Sequence, residues 1–197
     1  MAVALRITVT IGRASVARMS RRERDTAELI RVYSDPLQHA LIAVAVNAPL
    51  AARAGRGVLG TAVAAALVID LDHAVAARSV RVRHTTALAH RPRTHSLLTA
   101  ALTGAIVTAA AGPLHGWAAF SGLGSHLLHD AGDRAAPTPV LWPWQRPRQL
   151  GRRVQLAGTL ALTMGSTIVA GFAGSTSRSR DAASADGGPA AGSPRTA

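Results

Sequence analysis

Residues 154–172 read VQLAGTLALTMGSTIVAGF, an uncharged run that follows Arg152 and Arg153 and precedes a Ser- and Gly-containing tail. A helix needs about 20 apolar residues to cross the hydrocarbon core of a bilayer, with a range of about 17 to 25. This run meets that length. It decides how the other apolar stretches are read, either as membrane spans or as buried helices of a soluble, Ala-rich bundle, which are apolar too.

Four such stretches precede it: LQHALIAVAVNAPLAA from Leu37, GVLGTAVAAALVIDLDH at 57–73, SLLTAALTGAIVTAAAG at 96–112 and LHGWAAFSGLGSHLLHD at 114–130. The arginines between them choose between the two readings. All 22 basic residues are arginine: seven precede the first run, two lie in the first connection, five in the second, none in the third, five in the fourth and three in the tail. Heavy and light segments alternate, as the positive-inside rule requires of a chain that threads a membrane. A soluble bundle has no reason to alternate. The expectation is an all-α, multi-pass transmembrane helical bundle of four or five helices in the bacterial cytoplasmic (inner) membrane. The N-terminus and the second and fourth connections then face the cytoplasm, and the tail lies outside.

The expected organisation is a basic, disordered leader at 1–36, a membrane-embedded helical domain at 37–173 and a disordered tail at 174–197. The leader lacks the uninterrupted apolar core and small-residue cleavage site of a secretory signal, and Met19 is a second candidate start. Ser, Ala, Gly and Pro in the tail cannot bury a core.

A net charge of +12 usually points to nucleic acid or an anionic membrane surface. Aromatic residues make up only 3% of the chain, against 48% hydrophobic. Nucleic-acid binders interleave basic residues with aromatic stacking platforms, so nucleic acid is not the expected partner and the lipid bilayer is. Cysteine is absent, which removes disulfides, thiolate metal sites and cysteine nucleophiles. A metal must therefore be held by histidine and carboxylate.

On this topology the ionisable residues converge. His39 lies at the cytoplasmic start of the first helix; Asp70, Asp72 and His73 lie at the cytoplasmic end of the second. His90 and His95 flank the start of the third, and His126, His129 and Asp130 end the fourth. His84 and His115 stand apart. Asp70 and His73 are three apart and His126 and Asp130 four apart, so each pair shares a helix face. Pro92 separates His90 in the loop from His95 in the helix, with Thr94 as the expected N-cap. Singly, each residue has a plain reading: His39 as a hydrogen-bonded core histidine, Asp72 as a helix terminator, His129 among headgroups, Arg91 and Arg93 as interfacial anchors. Ionisable groups near membrane depth are costly and usually functional, and four helices placing them on one side favours a metal site. Histidine nitrogen and carboxylate oxygen suit zinc and related hydrolytic metals.

DLDH at 70–73, HRPRTHSLL at 90–98, and GLGSHLLHD at 122–130 followed by LWPW at 141–144 resemble the YdjM-like family, and QHALIA from Gln38 looks like its opening helix. These are LexA-binding, inner membrane-associated proteins described as metal-dependent hydrolases. The resemblance covers roughly 37–145. It marks His39, Asp70, Asp72, His73, His90, His95, His126 and Asp130, and its kinship with zinc-dependent phospholipases C and single-strand nucleases implies phosphoester hydrolysis. Ile69 stands where the family often has proline, Pro92 where it has glycine and Asp133 where it has threonine.

The expected function is a membrane-bound, metal-dependent hydrolase acting at the cytoplasmic face on a phosphoester, in one form a phospholipid. One or two divalent ions, zinc by chemistry, would be held by His39, Asp70, His73, His95, His126 and Asp130. Asp72 and His90 are the candidate general bases or ligand-orienting groups, and Arg91 or Arg93 holds the anionic substrate. The alternative is a non-catalytic scaffold with a structural metal site that binds a cytoplasmic regulator protein. A transporter ranks third, because its polar residues belong near the midplane.

Overall fold

A computed structural model describes residues 20–85, 88–132 and 137–186, and its regular structure there is helical apart from one antiparallel bridge between Thr138 and Arg148. In chain order the described helices are α1 (Arg21–Ala54), α2 (Arg56–Val68), α3 (Leu71–Ala76), α4 (Val82–Thr85), α5 (Leu97–Ala111), α6 (Pro113–Gly132) and α7 (Gly151–Asp186). The expected all-α class is what forms. The disorder expected of residues 1–19 and 187–197, the second start at Met19 and the departure at Asp133 all lie outside the described residues. Contacts divide the chain into one unit ending at Leu37 and another beginning at Gln38.

Two helix bounds differ from the expected ones. α1 begins at Arg21, inside the stretch expected to be a disordered leader at 1–36, because Arg, Glu, Ala and Leu between Arg21 and Ser34 are good helix formers. Pro36 therefore lies inside the helix, where its ring removes one backbone hydrogen bond, and the boundary between the units falls beside it. α5 is capped by Ser96, whose hydroxyl accepts from Thr99 N at 3.3 Å, and not by Thr94. The Thr94 hydroxyl instead donates to the Asp72 carboxylate.

Two stretches of the described chain, Arg56–Ala76 and Gly151–Ser175, are long and apolar enough to cross a membrane. A soluble core helix passes the same test but is mostly buried. Here only 17% and 11% of the two stretches are buried, so their apolar surface needs an apolar surrounding from outside the protein. α5, at 15 residues, is shorter. α6 carries three histidines and Asp130, and it is the helix the others wrap around: it packs against α2, α5 and α7 and has the longest set of buried residues.

Small residues let α6 be central. A Cβ at Gly122 would run into the backbone carbonyl of Ala62 on α2, and one at Gly116 would meet Thr108 of α5. Without a hydrophobic drive between helices in lipid, such close backbone approach and interhelical hydrogen bonds supply the association. Ser121 donates to Asn47 Oδ1 (2.8 Å), joining α6 to α1, and Trp117 Nε1 donates to Ser166 Oγ (2.9 Å), joining α6 to α7. His115, apart from the other histidines in sequence, lies 2.7 Å from Thr61 Oγ1 and joins α6 to α2. Leu50, Val58, Ala62, Ala118 and Ala170 form the apolar core between these ties.

Gly122 lies one turn before His126. Gly122→Ala is expected to force α2 and α6 apart and to lower stability by about 1–3 kcal/mol, the usual cost of overpacking. A thermal melt of the full chain in detergent measures this; an unchanged transition temperature would show that the two backbones are not in contact.

Candidate metal centre

Four segments bring nine polar side chains to one place. α1 contributes His39, and the turn between α2 and α3 contributes Asp70, Asp72 and His73. The loop before α5 contributes Arg91, Thr94 and His95, while α6 contributes His126 and Asp130. The turn is tightly wound: the amides of Asp70, Asp72 and His73 bond to the carbonyls of Leu67, Ile69 and Asp70, each three residues back, which is 3₁₀ geometry. This winding sets Asp70 Oδ1 3.7 Å and Asp72 Oδ1 3.1 Å from His73 Nδ1. Backbone bonds from Arg91 N to Pro137 O and from Leu97 N to Val140 O hold the loop before α5 in place.

The distances within the cluster are informative. His126 Nε2 lies 3.3 Å from Asp130 Oδ2 and 3.4 Å from Asp70 Oδ1; His95 Nε2 lies 3.5 Å and 3.7 Å from the same two oxygens. Donors arranged tetrahedrally about an ion at about 2.0–2.2 Å are separated by about 3.3–3.6 Å. His95 Nε2, His126 Nε2 and Asp130 Oδ2 are buried and make no hydrogen bond among the described residues. Buried polar atoms are normally hydrogen-bonded, so three orphans meeting at the spacing of a coordination shell fit a metal ion. His39 Nε2 is 3.5 Å from the other Asp130 oxygen, and its ring stacks on His126 at 3.7 Å. By proximity the donors fall into two sets that could each hold a metal ion: His39, His126 and Asp130, and Asp70, His73 and His95.

Charge points the same way. His39, His95, His126 and Asp130 are at most 1% exposed. Three carboxylates (Asp70, Asp72, Asp130) face one guanidinium, which leaves two negative charges when the histidines are neutral. Burial opposes protonation of His95, but the adjacent Asp70 and Asp72 carboxylates outweigh it and raise its pKa to about 9. The cluster is built to attract a cation.

The surrounding contacts orient the donors. His95 Nδ1 lies 3.1 Å from Asp72 Oδ2, which also accepts from Thr94, so Nε2 is the nitrogen turned to the cluster. This carboxylate–histidine arrangement fixes ring and tautomer at metal sites. Arg91 Nη2 donates to Asp130 Oδ1 at 3.0 Å and Nη1 to His73 Nε2 at 3.1 Å. Arginine has no acceptor, so His73 accepts through Nε2 and its Nδ1 carries the proton toward Asp72. His129 stands edge-on to His39 at 4.9 Å, with Gln155 Nε2 of α7 3.2 Å from its Nδ1.

The expected residues thus separate. His39, Asp70, Asp72, His73, Arg91, His95, His126 and Asp130 come together. His90 is not brought to them: it is exposed, and its Nδ1 lies 3.2 Å from the Arg91 carbonyl oxygen. Arg91 turns inward, while Arg93 is exposed as an anchor would be. Thr94 and Gln155 had no sequence signal for these contacts, since a hydroxyl or amide before or within an apolar run is ordinarily a cap or a surface group.

A family model described as YdjM inner membrane protein matches residues 35–185, a span that contains every residue of the cluster. No curated protein and no solved structure matches the chain.

Metal ligation requires neutral histidine, so protons compete with the ion. His95 is protonated below about 9 in the metal-free chain. Apparent zinc affinity is therefore expected to rise about tenfold per pH unit between about pH 6 and pH 8, from that one proton. Asp72→Asn, which weakens the hold on His95, is expected to reduce affinity about 10–100-fold. Competition titration with a chromophoric chelator measures both, and pH-independent affinity would remove His95 from the binding set.

Proposed function

We propose, from the premise that the chain belongs to the YdjM inner membrane protein family, that it is a metal-dependent hydrolase of that membrane acting on a phosphoester. The observation that carries this reading is the set of unbonded, buried donors His95 Nε2, His126 Nε2 and Asp130 Oδ2, with the part-exposed Asp70 Oδ1 at ligand spacing from both histidine nitrogens. Those four are the assigned ligands, with His39 against Asp130 as the further donor for a second ion. His73, which accepts from Arg91 through Nε2, is assigned to positioning unless it exchanges that tautomer. A zinc-type divalent ion bound there supplies Lewis-acid activation of water and of the phosphoryl oxygens.

The chain's own groups do the rest. Asp72, steadied by Thr94, holds His95 with Nε2 inward. Arg91 keeps Asp130 in place through Nη2, and its buried Nε makes no hydrogen bond among the described residues, which leaves a donor for an anionic substrate oxygen. His90, exposed, donates through Nδ1 to the Arg91 carbonyl, which leaves Nε2 as its acceptor nitrogen. Arginine alternation supports a cytoplasmic N-terminus and a cytoplasmic face for the centre.

One observation favours the alternative, a non-catalytic scaffold with a structural metal site and a cytoplasmic regulator as partner: most of the donors are sealed from solvent, as in structural sites. The Asp70 side chain, at 31% exposure, opens the centre on one side, and an open position is what a catalytic metal needs. That opening supports the enzyme reading.

The test is metal analysis of the full chain purified in detergent, followed by a panel of phosphodiesters and phospholipids. The unaltered chain is expected to retain at least one equivalent of divalent metal, with His126→Ala and Asp130→Asn each losing most of it, and to hydrolyse a member of the panel. Metal retained without hydrolysis supports the scaffold. Absence of stoichiometric metal from a folded chain sinks both readings of the centre.

A further inference from the structure

The stretch that leads from α6 into the first turn of α7 carries exposed charge and an exposed indole. From Pro137 to Arg153 it carries Arg146, Arg148, Arg152 and Arg153, all exposed, and no acidic residue. Trp144 is 74% exposed and Leu141 38% exposed, although the chain has only three tryptophans. This exposure is not that of a loose loop. Thr138 and Arg148 exchange both backbone hydrogen bonds at 3.2 and 3.1 Å, Leu150 N bonds to Ala131 O of α6, and Leu97 N at the start of α5 bonds to Val140 O. Within the loop, Trp142 N bonds to Pro139 O and Trp144 N to Leu141 O. Backbone bonds hold the loop in a fixed shape that presents Leu141 and Trp144 outward.

Its place identifies what those side chains meet. The loop leads directly into Gly151–Ser175, a stretch able to cross a membrane. That stretch exposes Leu156, Leu160, Met164, Ile168 and Phe172 at intervals of four, an apolar stripe along one side of α7. Tryptophan and arginine at the end of such a stripe stand at headgroup level, where an indole is amphipathic and a guanidinium meets phosphate. We infer that residues 141–153 form a lipid-binding collar at the rim of the metal centre, in which Leu141 and Trp144 enter the interface while Arg146, Arg148, Arg152 and Arg153 select anionic phospholipid headgroups over zwitterionic ones. Four cations without a single acid set this preference; an indole alone gives none. The collar is independent of whether the centre is catalytic.

The full chain is reconstituted into bilayers of phosphatidylcholine with increasing phosphatidylglycerol, one lipid at a time carrying brominated acyl chains that quench nearby tryptophan. The Trp144 signal is the difference between the unaltered chain and Trp144→Phe. Brominated phosphatidylglycerol is expected to be preferred at Trp144 by on the order of tenfold at low salt. The preference should fall when salt is raised and should weaken in the double variant Arg146→Gln with Arg148→Gln. It should persist in the double lysine variant, which keeps the charge. Equal quenching by both lipids overturns the inference, as does a Trp144 signal insensitive to either. If the glutamine variant fails to fold, the salt series on the unaltered chain decides alone, and a salt-independent preference overturns the role of the arginines. Protection of Trp144 from both quenchers by an added single-stranded oligonucleotide would reassign the collar to nucleic acid.

Discussion

Asp130 is the constraint around which the rest of this structure is arranged. Its carboxylate is 1% exposed and sits near the end of a helix, α6, that others surround. A buried carboxylate is tolerated only with charge partners and hydrogen bonds, and losing one partner of a buried pair costs about 3–5 kcal/mol. The partners come from far along the chain: Arg91 from the loop before α5, His39 from α1, and His95 and His126. That need explains why an arginine leaves the interface and turns inward, and why the loop that carries it is bonded by its backbone to Pro137. Asp70 and Asp72 arrive on the same spot and tip the balance back to negative. The site therefore satisfies its own charges only in part, and a divalent cation would complete the balance.

Bringing four segments to one point requires helices that approach closely. Gly122 against the Ala62 carbonyl and Gly116 against Thr108 provide the approach, with Ser121–Asn47, Trp117–Ser166 and Thr61–His115 as polar ties. These ties involve the same helix, α6, that carries His126 and Asp130. Packing along α6 and chemistry at its end are one mechanical unit.

Much of this was legible in the sequence. The helical class followed from uncharged runs of spanning length, and the convergence of DLDH, HRPRTH and SHLLHD followed from arginine alternation placing their helix ends on one side. His126 and Asp130 could be paired because a helix fixes the direction of residues four apart. Loop residues have no such rule. Arg91 and Arg93 looked alike as anchors, and His90 looked as close to the site as His95; tertiary hydrogen bonds to Pro137 and Val140 settle which side chains turn inward. Thr94 read as a helix cap because capping is local, whereas its actual partner, Asp72, is 22 residues away. The tight turn at Asp70 was hidden too, since Ile69 and Leu71 continue an apolar pattern that gives no sign of a break.

The spread of the site along the chain has a consequence for how the protein is made. His39 leaves the ribosome first and Asp130 last, with all the other members of the cluster between them. Until α6 is synthesised, Asp70, Asp72, His73, Arg91 and His95 have no histidine–aspartate platform to close upon, and any metal they meet is held by an incomplete shell. Completion waits for the fourth apolar run, while α7 adds no member to the cluster. A metal ion held by the full set of donors would therefore have to wait for one particular helix, α6, to be made.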